Sequence, residues 1–308
     1  MSKIIVAVDA SQGASDAIAL ASKLAGISGS TLMLVNVFPY DVHPSRGSNR
    51  EVEGYMREDS IDLLERLRTA HGDESVEVKA IANPSPSHGL HELAEQEDAG
   101  LIVVGSTHTG RAGRVLPGST AERLLHGSPC PVAVAPEGYA ERSGEEPAII
   151  GCGYDGSPSS QRALEAAGRV ATASGARLRV IRVFEPLAYD LPPGGVAIGG
   201  LPSYNLTLRE RASMELDSAV ASIESDPEIE PRFAVGDPVR VLAAASEELD
   251  LLVVGSRGYG PMRAVLVGGV SGRLVTQAAC PVIVFPRGAG ETDDDALFAT
   301  TAVGAAWS

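Results

Sequence analysis

The sequence predicts an α/β fold of two doubly wound, parallel five-stranded sheets, one per half of the chain, with helices on both faces. Three observations point there. Residues 101–136 and 251–286 carry one pattern 150 positions apart, pairing Gly105 with Gly255, Gly118 with Gly268, Cys130 with Cys280 and Pro136 with Pro286. Residues 4–21 and 148–167 echo each other upstream, with Asp9 and Asp155 separated by 146. In each half, short Val/Ile-rich runs alternate with stretches of helical period, the signature of parallel strands covered on both faces.

Taken in order, the first half predicts strands at Ile4–Val8, Leu32–Val37, Val76–Ile81, Leu101–Val104 and Val132–Ala135. The second predicts Ala148–Cys152, Leu178–Val183, Ile229–Val235, Leu251–Val254 and Val282–Phe285. Between the first two strands, Ala17, Leu20, Ala21 and Leu24 recur at helical spacing, and Ala163, Ala166, Ala167 and Val170 repeat the pattern. Longer helices are expected around Ile61–Leu67 and Met214–Ile223. The breaks Asn83-Pro84 and Gly236-Asp237-Pro238 precede the third helix of each half. The expected units are a domain at 1–138, a linker at 139–147, a domain at 148–288 and an acidic, disordered tail at 289–308. Segments 39–50 and 186–203 read as longer loops, the second rich in Pro and Gly and expected to be mobile.

Composition narrows the function. At 308 residues and 44% hydrophobic, the chain can bury two cores, and with only 4% aromatics these must be built from Val, Leu, Ile and Ala. A net charge of −15 argues against a nucleic-acid surface, which needs clustered cations. Lys3, Lys23 and Lys79 are the only lysines, and none lies in a Gly-rich segment. No apolar run reaches membrane-spanning length, and the first strand starts too early to leave room for a signal peptide, so a cytoplasmic location is expected. Cys130, Cys152 and Cys280, without a CxxC, read as buried thiols rather than a disulfide framework or zinc site.

Right-handed crossovers place every strand C-terminus on one edge, where ligands bind in this architecture. Three elements meet there in each half: an acid after strand 1 (Asp9, Asp155), the end of strand 2 (Val37, Val183), and a Gly-rich loop after strand 4 that enters a helix near Gly118 or Gly268. A helix N-terminus offers free N–H groups and the positive end of its dipole to phosphate. The acid can hold Mg²⁺ bridged to phosphate oxygens or accept from a ribose hydroxyl. The plain reading of the acids is a turn or cap before Ser11 and Ser157, and that of the glycines a tight strand-to-helix connection.

On these residues the chain resembles the universal stress protein family, in tandem. The loops match its G-x2-G-x9-G-[ST] signature; VAVDAS at the start, the GDP turn at 236–238, VVGS before each loop and the closing CPV match too. The resemblance covers all but the tail. It implies strand order 3-2-1-4-5, ATP with Mg²⁺ as cofactors, and two halves paired as an internal pseudo-dimer with their last strands side by side; a homodimer stays open. Asp9 and Asp155 would contact ribose or metal, and Val37 and Val183 would border the base. The loops would hold phosphates through Gly105, His108, Gly118 and Ser119 in the first half, and Gly255, Gly258, Gly268, Gly269 and Ser271 in the second. The match departs at His108, where a glycine belongs, and at Gly269, where a hydroxyl belongs. Arg111, Arg114, Arg257 and Arg263 are placed either to screen phosphate or to face solvent.

Gly151-Cys152-Gly153-Tyr154-Asp155-Gly156 spells a dinucleotide fingerprint, but the first half has no such triplet and Asp155 would repel a pyrophosphate. No P-loop or nucleophile elbow exists, and His88 and His91 lack a third metal ligand. The expectation is an ATP-binding stress-response regulator that switches conformation or partner with nucleotide, ordering loops 105–118 and 255–268. Two other readings stay open: a scaffold with vestigial pockets, and an ATPase or nucleotidyl transferase of slow turnover.

Overall fold

The computed structural model describes residues 2–40, 50–106, 118–142, 146–186, 201–224, 226–256 and 270–286. The expected tail at 289–308 lies outside them, as do most of the two longer loops. The first half runs β1 (Lys3–Ala7), α1 (Gly13–Ser28), β2 (Thr31–Phe38), α2 (Arg50–His71), β3 (Glu77–Ala82), α3 (Pro86–Gln96), β4 (Ala99–Gly105), α4 (Ser119–Gly127) and β5 (Val132–Ala135). A short α5 (Tyr139–Arg142) sits in the stretch expected to be linker. The second half repeats the plan as β6 (Ile149–Tyr154), α6 (Pro158–Ser174), β7 (Arg177–Phe184), α7 (Leu201–Ala221), β8 (Ile229–Val235), α8 (Pro238–Ala245), β9 (Leu251–Gly255), α9 (Val270–Val275) and β10 (Val282–Phe285).

Each half has the strand order 3-2-1-4-5, and the two join edge to edge as β3-β2-β1-β4-β5-β10-β9-β6-β7-β8. Within a half every pairing is parallel: Ile5 sits between Met33 of β2 and Ile102 of β4. β10 meets β5 antiparallel, with Ile283 opposite Ala133. Alternation along the strands sends side chains to two cores. Ile4, Val6 and Val8 pack with Leu34 and Val103 under α1, α2, α6 and α7. Ile5, Met33, Ile102 and Val104 pack with Leu90, Leu93 and Leu124 under α3 and α4. The first core is continuous across both halves, because Ala17 and Ala21 of α1 and Ala163 and Ala167 of α6 are all buried in it. The three cysteines are free and buried, and burial pushes the thiols of Cys152 and Cys280 up.

Charged side chains fasten the chain where each half ends. Buried Asp16 of α1 accepts from Gly138 N–H at 3.0 Å and Ala140 N–H at 2.8 Å, which holds α5. At the matching position of α6, Arg162 donates to the Pro286 carbonyl at 2.7 Å. One position thus does one job with opposite signs, since a carboxylate and a guanidinium each make charge-assisted bonds to backbone.

Two features carry testable stability. The end of β4 lies so close to the first turn of α1 that a Cβ on Gly105 would stand 2.1 Å from the Gly13 carbonyl oxygen, whereas one on exposed Gly26 would meet nothing. Gly105→Ala is expected to cost about 2–3 kcal/mol in chemical denaturation. Gly26→Ala in the same helix is expected to add about 0.5–1 kcal/mol. At the opposite edge of the sheet, Glu97 accepts from Lys3 at 2.7 Å and Lys79 at 2.6 Å, and these ammonium groups pull its carboxyl from an ordinary 4.5 down to about 2. A depressed carboxyl contributes above its unfolded value and loses that contribution as pH falls. Glu97→Gln should therefore cost about 1 kcal/mol at neutral pH, the scale of a partly exposed ion-pair network. The gap to the unsubstituted protein should close as pH drops from 4.5 toward 2.

Candidate functional site

β1 and β4 are neighbours whose connections leave toward opposite faces, so a crevice opens above their C-termini. In the first half it is a cleft of about 260 Å³. Val35, Val37 and Leu90 supply an apolar wall. Asp9 and Ser11 line one rim, and Gly118, Ser119 and Thr120 the other. Asp9 is exposed, and its Oδ1 accepts from Ser11 N–H at 2.9 Å, the local turn that the plain reading of the sequence anticipates. Asn36 braces the floor: its Nδ2 donates to the Val8 carbonyl at 2.7 Å, and its Oδ1 accepts from Ser60 Oγ at 2.7 Å. Gly118 stands extended at the N-cap of α4 and no side chain caps the helix. Its first-turn amides are thus available at the cleft, with the positive end of the dipole.

In the second half the described residues Asp155, Val183, Leu242, Gly255, Ser271 and Leu274 line the corresponding crevice. Asp155 accepts from Ser157 N–H at 2.8 Å, and Ser157 in turn caps α6 by accepting from Ser160 N–H at 3.2 Å. Tyr154 occupies the place of Val8, and Arg182 the place of Asn36. Arg182 pairs with Glu215 of α7 at 3.0 Å. Burial, and then the charge of Glu215, push the Tyr154 phenol up.

Of the sequence-predicted residues, Asp9, Val37, Gly105, Gly118 and Ser119 come together around the first cleft. Asp155, Val183, Gly255 and Ser271 come together around the second. His108, Gly258, Gly268 and Gly269 lie outside the described residues, as do the four loop arginines. Gly105 and Gly255 have a packing role as well: a Cβ on Gly255 would stand 2.6 Å from Ser160 N and 2.7 Å from Ser159 Oγ. The spelled dinucleotide fingerprint does not form a phosphate loop. Gly151 and Gly153 lie inside β6, where a Cβ would run into Leu249 and press on Val254. His91 bonds the Gly127 carbonyl at 2.7 Å, tying α3 to α4, and no group of three His, Cys, Asp or Glu suited to a metal occurs among the described residues. A Mg²⁺ at the first cleft would find one carboxylate on its lining, Asp9, and would take its other ligands from phosphate and water.

Sequence reasoning missed Gly13, Asn36, Leu90, Tyr154, Arg182 and Glu215. Setting strand 2 of one half over strand 2 of the other exposes the Asn36–Arg182 exchange. Glu215 carries no motif and is found only through its contact.

The chain matches the family model described as the universal stress protein family twice, over residues 1–136 and 148–286. A universal stress protein of Mycobacterium tuberculosis is 30% identical over 243 residues, which cover 78% of each chain. One of Mycolicibacterium smegmatis is 30% identical over 191 residues, 61% of this chain and 62% of that one. In fold, a universal stress protein crystal structure from Archaeoglobus fulgidus covers 93% of this chain and 98% of its own, with TM-score 0.64 at 20% identity. A Pseudomonas aeruginosa structure covers 96% and 94%, with TM-score 0.62 at 16% identity. No helix among the described residues is long and apolar enough to cross a membrane. With two copies of the family's domain filling most of its length, the chain belongs to the universal stress protein family.

Proposed function

We propose that this protein is a regulator that binds an adenine nucleotide, ATP with Mg²⁺, and passes the bound state to a partner or to a second copy of itself. One observation carries the reading: the first cleft sets an apolar wall, a carboxylate and an uncapped helix N-terminus around one crevice. Val35, Val37 and Leu90 suit the face of a purine. Asp9 suits a ribose hydroxyl or a phosphate-bound Mg²⁺, and the amides after Gly118 with the Ser119 hydroxyl suit the phosphates. Mg²⁺ would supply charge neutralisation between phosphate and Asp9.

The halves serve as an internal pair in this reading. β5 and β10 are short, buried and hydrogen-bonded to one another, so a change at the end of β4 has a direct route through β5 into the second half. No paired acid and base stands at the first cleft among the described residues, which favours a binding switch over rapid turnover.

A ligand that binds only the folded chain raises its stability by about 2.7 kcal/mol at a hundred times its dissociation constant. Millimolar Mg-ATP should raise the melting temperature of the full chain by several degrees, and Asp9→Ala should remove most of that rise while melting normally without nucleotide. An unchanged melting temperature with every adenine nucleotide tried would reject nucleotide binding and leave the scaffold reading.

A further inference from the structure

Asp9 is exposed and stands just past the end of β1, so its direction depends on the backbone that carries it. That backbone is held at Val8. The Val8 N–H donates to the Val35 carbonyl at 2.9 Å, and the Val8 carbonyl accepts from Asn36 Nδ2 at 2.7 Å. The Val8 carbonyl and the Asp9 N–H and Cα share one rigid peptide plane. The Asn36 amide therefore sets the plane from which the Asp9 side chain departs.

Asn36 is held in turn. Its Oδ1 accepts from Ser60 Oγ at 2.7 Å, and Ser60 is buried on α2. A carbonyl can only accept, so the Nδ2 end must face Val8 and the Oδ1 end the hydroxyl. With both ends engaged, the amide is locked. A chain of contacts runs from α2 through Ser60 and Asn36 to the peptide plane of Asp9. Asn36 stands where the cleft meets the groove beside α2, since it lines both.

The second half reaches its acid by another route. Arg182, at the place of Asn36, pairs with Glu215 of α7 at 3.0 Å, and the Asp155 N–H donates to Ser160 Oγ of α6 at 3.3 Å. Among the described residues, a brace from strand 2 to the peptide plane of the acid occurs in the first half alone.

We infer that Asn36 is a positioning residue for nucleotide binding at the first cleft: clamped by Ser60 of α2, it orients the Asp9 carboxylate toward ribose or phosphate-bound Mg²⁺. This rests on the nucleotide reading above. Because Asn36 acts through Asp9, the two residues do not contribute independently.

Titration calorimetry of the full chain with Mg-ATP tests this through a cycle of variants. Asn36→Ala should weaken binding about three- to tenfold, the worth of one hydrogen bond. Made on top of Asp9→Ala, the same substitution should change affinity by less than about twofold. Ser60→Ala keeps the Asn36–Val8 bond but unclamps the amide. It should show the same pattern at smaller size, and it serves if Asn36→Ala does not fold. A second readout needs no nucleotide. Asp9 Oδ1 holds the Ser11 amide at 2.9 Å, and Asp155 Oδ1 holds the Ser157 amide in the matching turn at 2.8 Å. Hydrogen exchange in Asn36→Ala should quicken at Ser11 and stay unchanged at Ser157.

Losses that multiply in the double variant, or a lower melting temperature with unchanged affinity, would overturn the inference and leave the nucleotide reading standing. So would Ser11 exchange that moves no more than Ser157. No heat from the unsubstituted chain at millimolar Mg-ATP would remove both inference and reading. Should Asp9→Ala bind too weakly to titrate, the exchange at Ser11 decides.

Discussion

The close approach of the end of β4 to the first turn of α1 is the constraint on which the site depends. Parallel order 3-2-1-4-5 puts a gap where the chain turns from one face of the sheet to the other. For that gap to hold a ligand, α1 must start low against β4, and the backbone there has no room for a side chain. Gly105 meets the Gly13 backbone directly in the first half, and Gly255 meets Ser159 and Ser160 in the second. The same glycines that read as a phosphate loop are thus required one step earlier, by packing. Their presence in both halves speaks for a preserved crevice, and the side chains around it decide what the crevice can take.

That separation explains how two copies of one domain come to differ. The frame is set by buried aliphatic residues alternating across the sheet and by alanines under α1 and α6, and both halves keep it. Changes on the strand ends leave the frame untouched. Exchanging Asn36 for Arg182 replaces a neutral bridge from the end of β1 to Ser60 of α2 with an ion pair to Glu215 of α7. A second exchange, Asp16 for Arg162, leaves the job intact and reverses only the sign. One exchange alters the charge at a strand end; the other changes only the partner atom.

Much of this was legible in the residues. The ten strands, their pairing into two like halves and the edge where the candidate residues meet follow from continuous apolar runs and the 150-residue echo. The helices were legible where they are amphipathic, but α2 and α7 extend well beyond the cores of their patterns, because long polar faces leave their starts without an apolar signal. α5 was read as linker, since four residues carry no period and the helix is held by Asp16, far away in sequence. At the site, residues with a motif were found and those defined by contact were not. Asp9, Gly118 and Ser119 announce themselves by spacing. Arg182 looks like any polar residue on a strand until Glu215 is seen beside it.

The account stands on the first cleft being the place where nucleotide sits. The most direct measurement is a crystal structure of the full chain grown with Mg-ATP. The account predicts a purine against Val37 and Leu90, phosphates at the amides following Gly118, and Asp9 within reach of ribose or metal. A nucleotide seated elsewhere, or a first cleft left empty at saturating Mg-ATP, would contradict it.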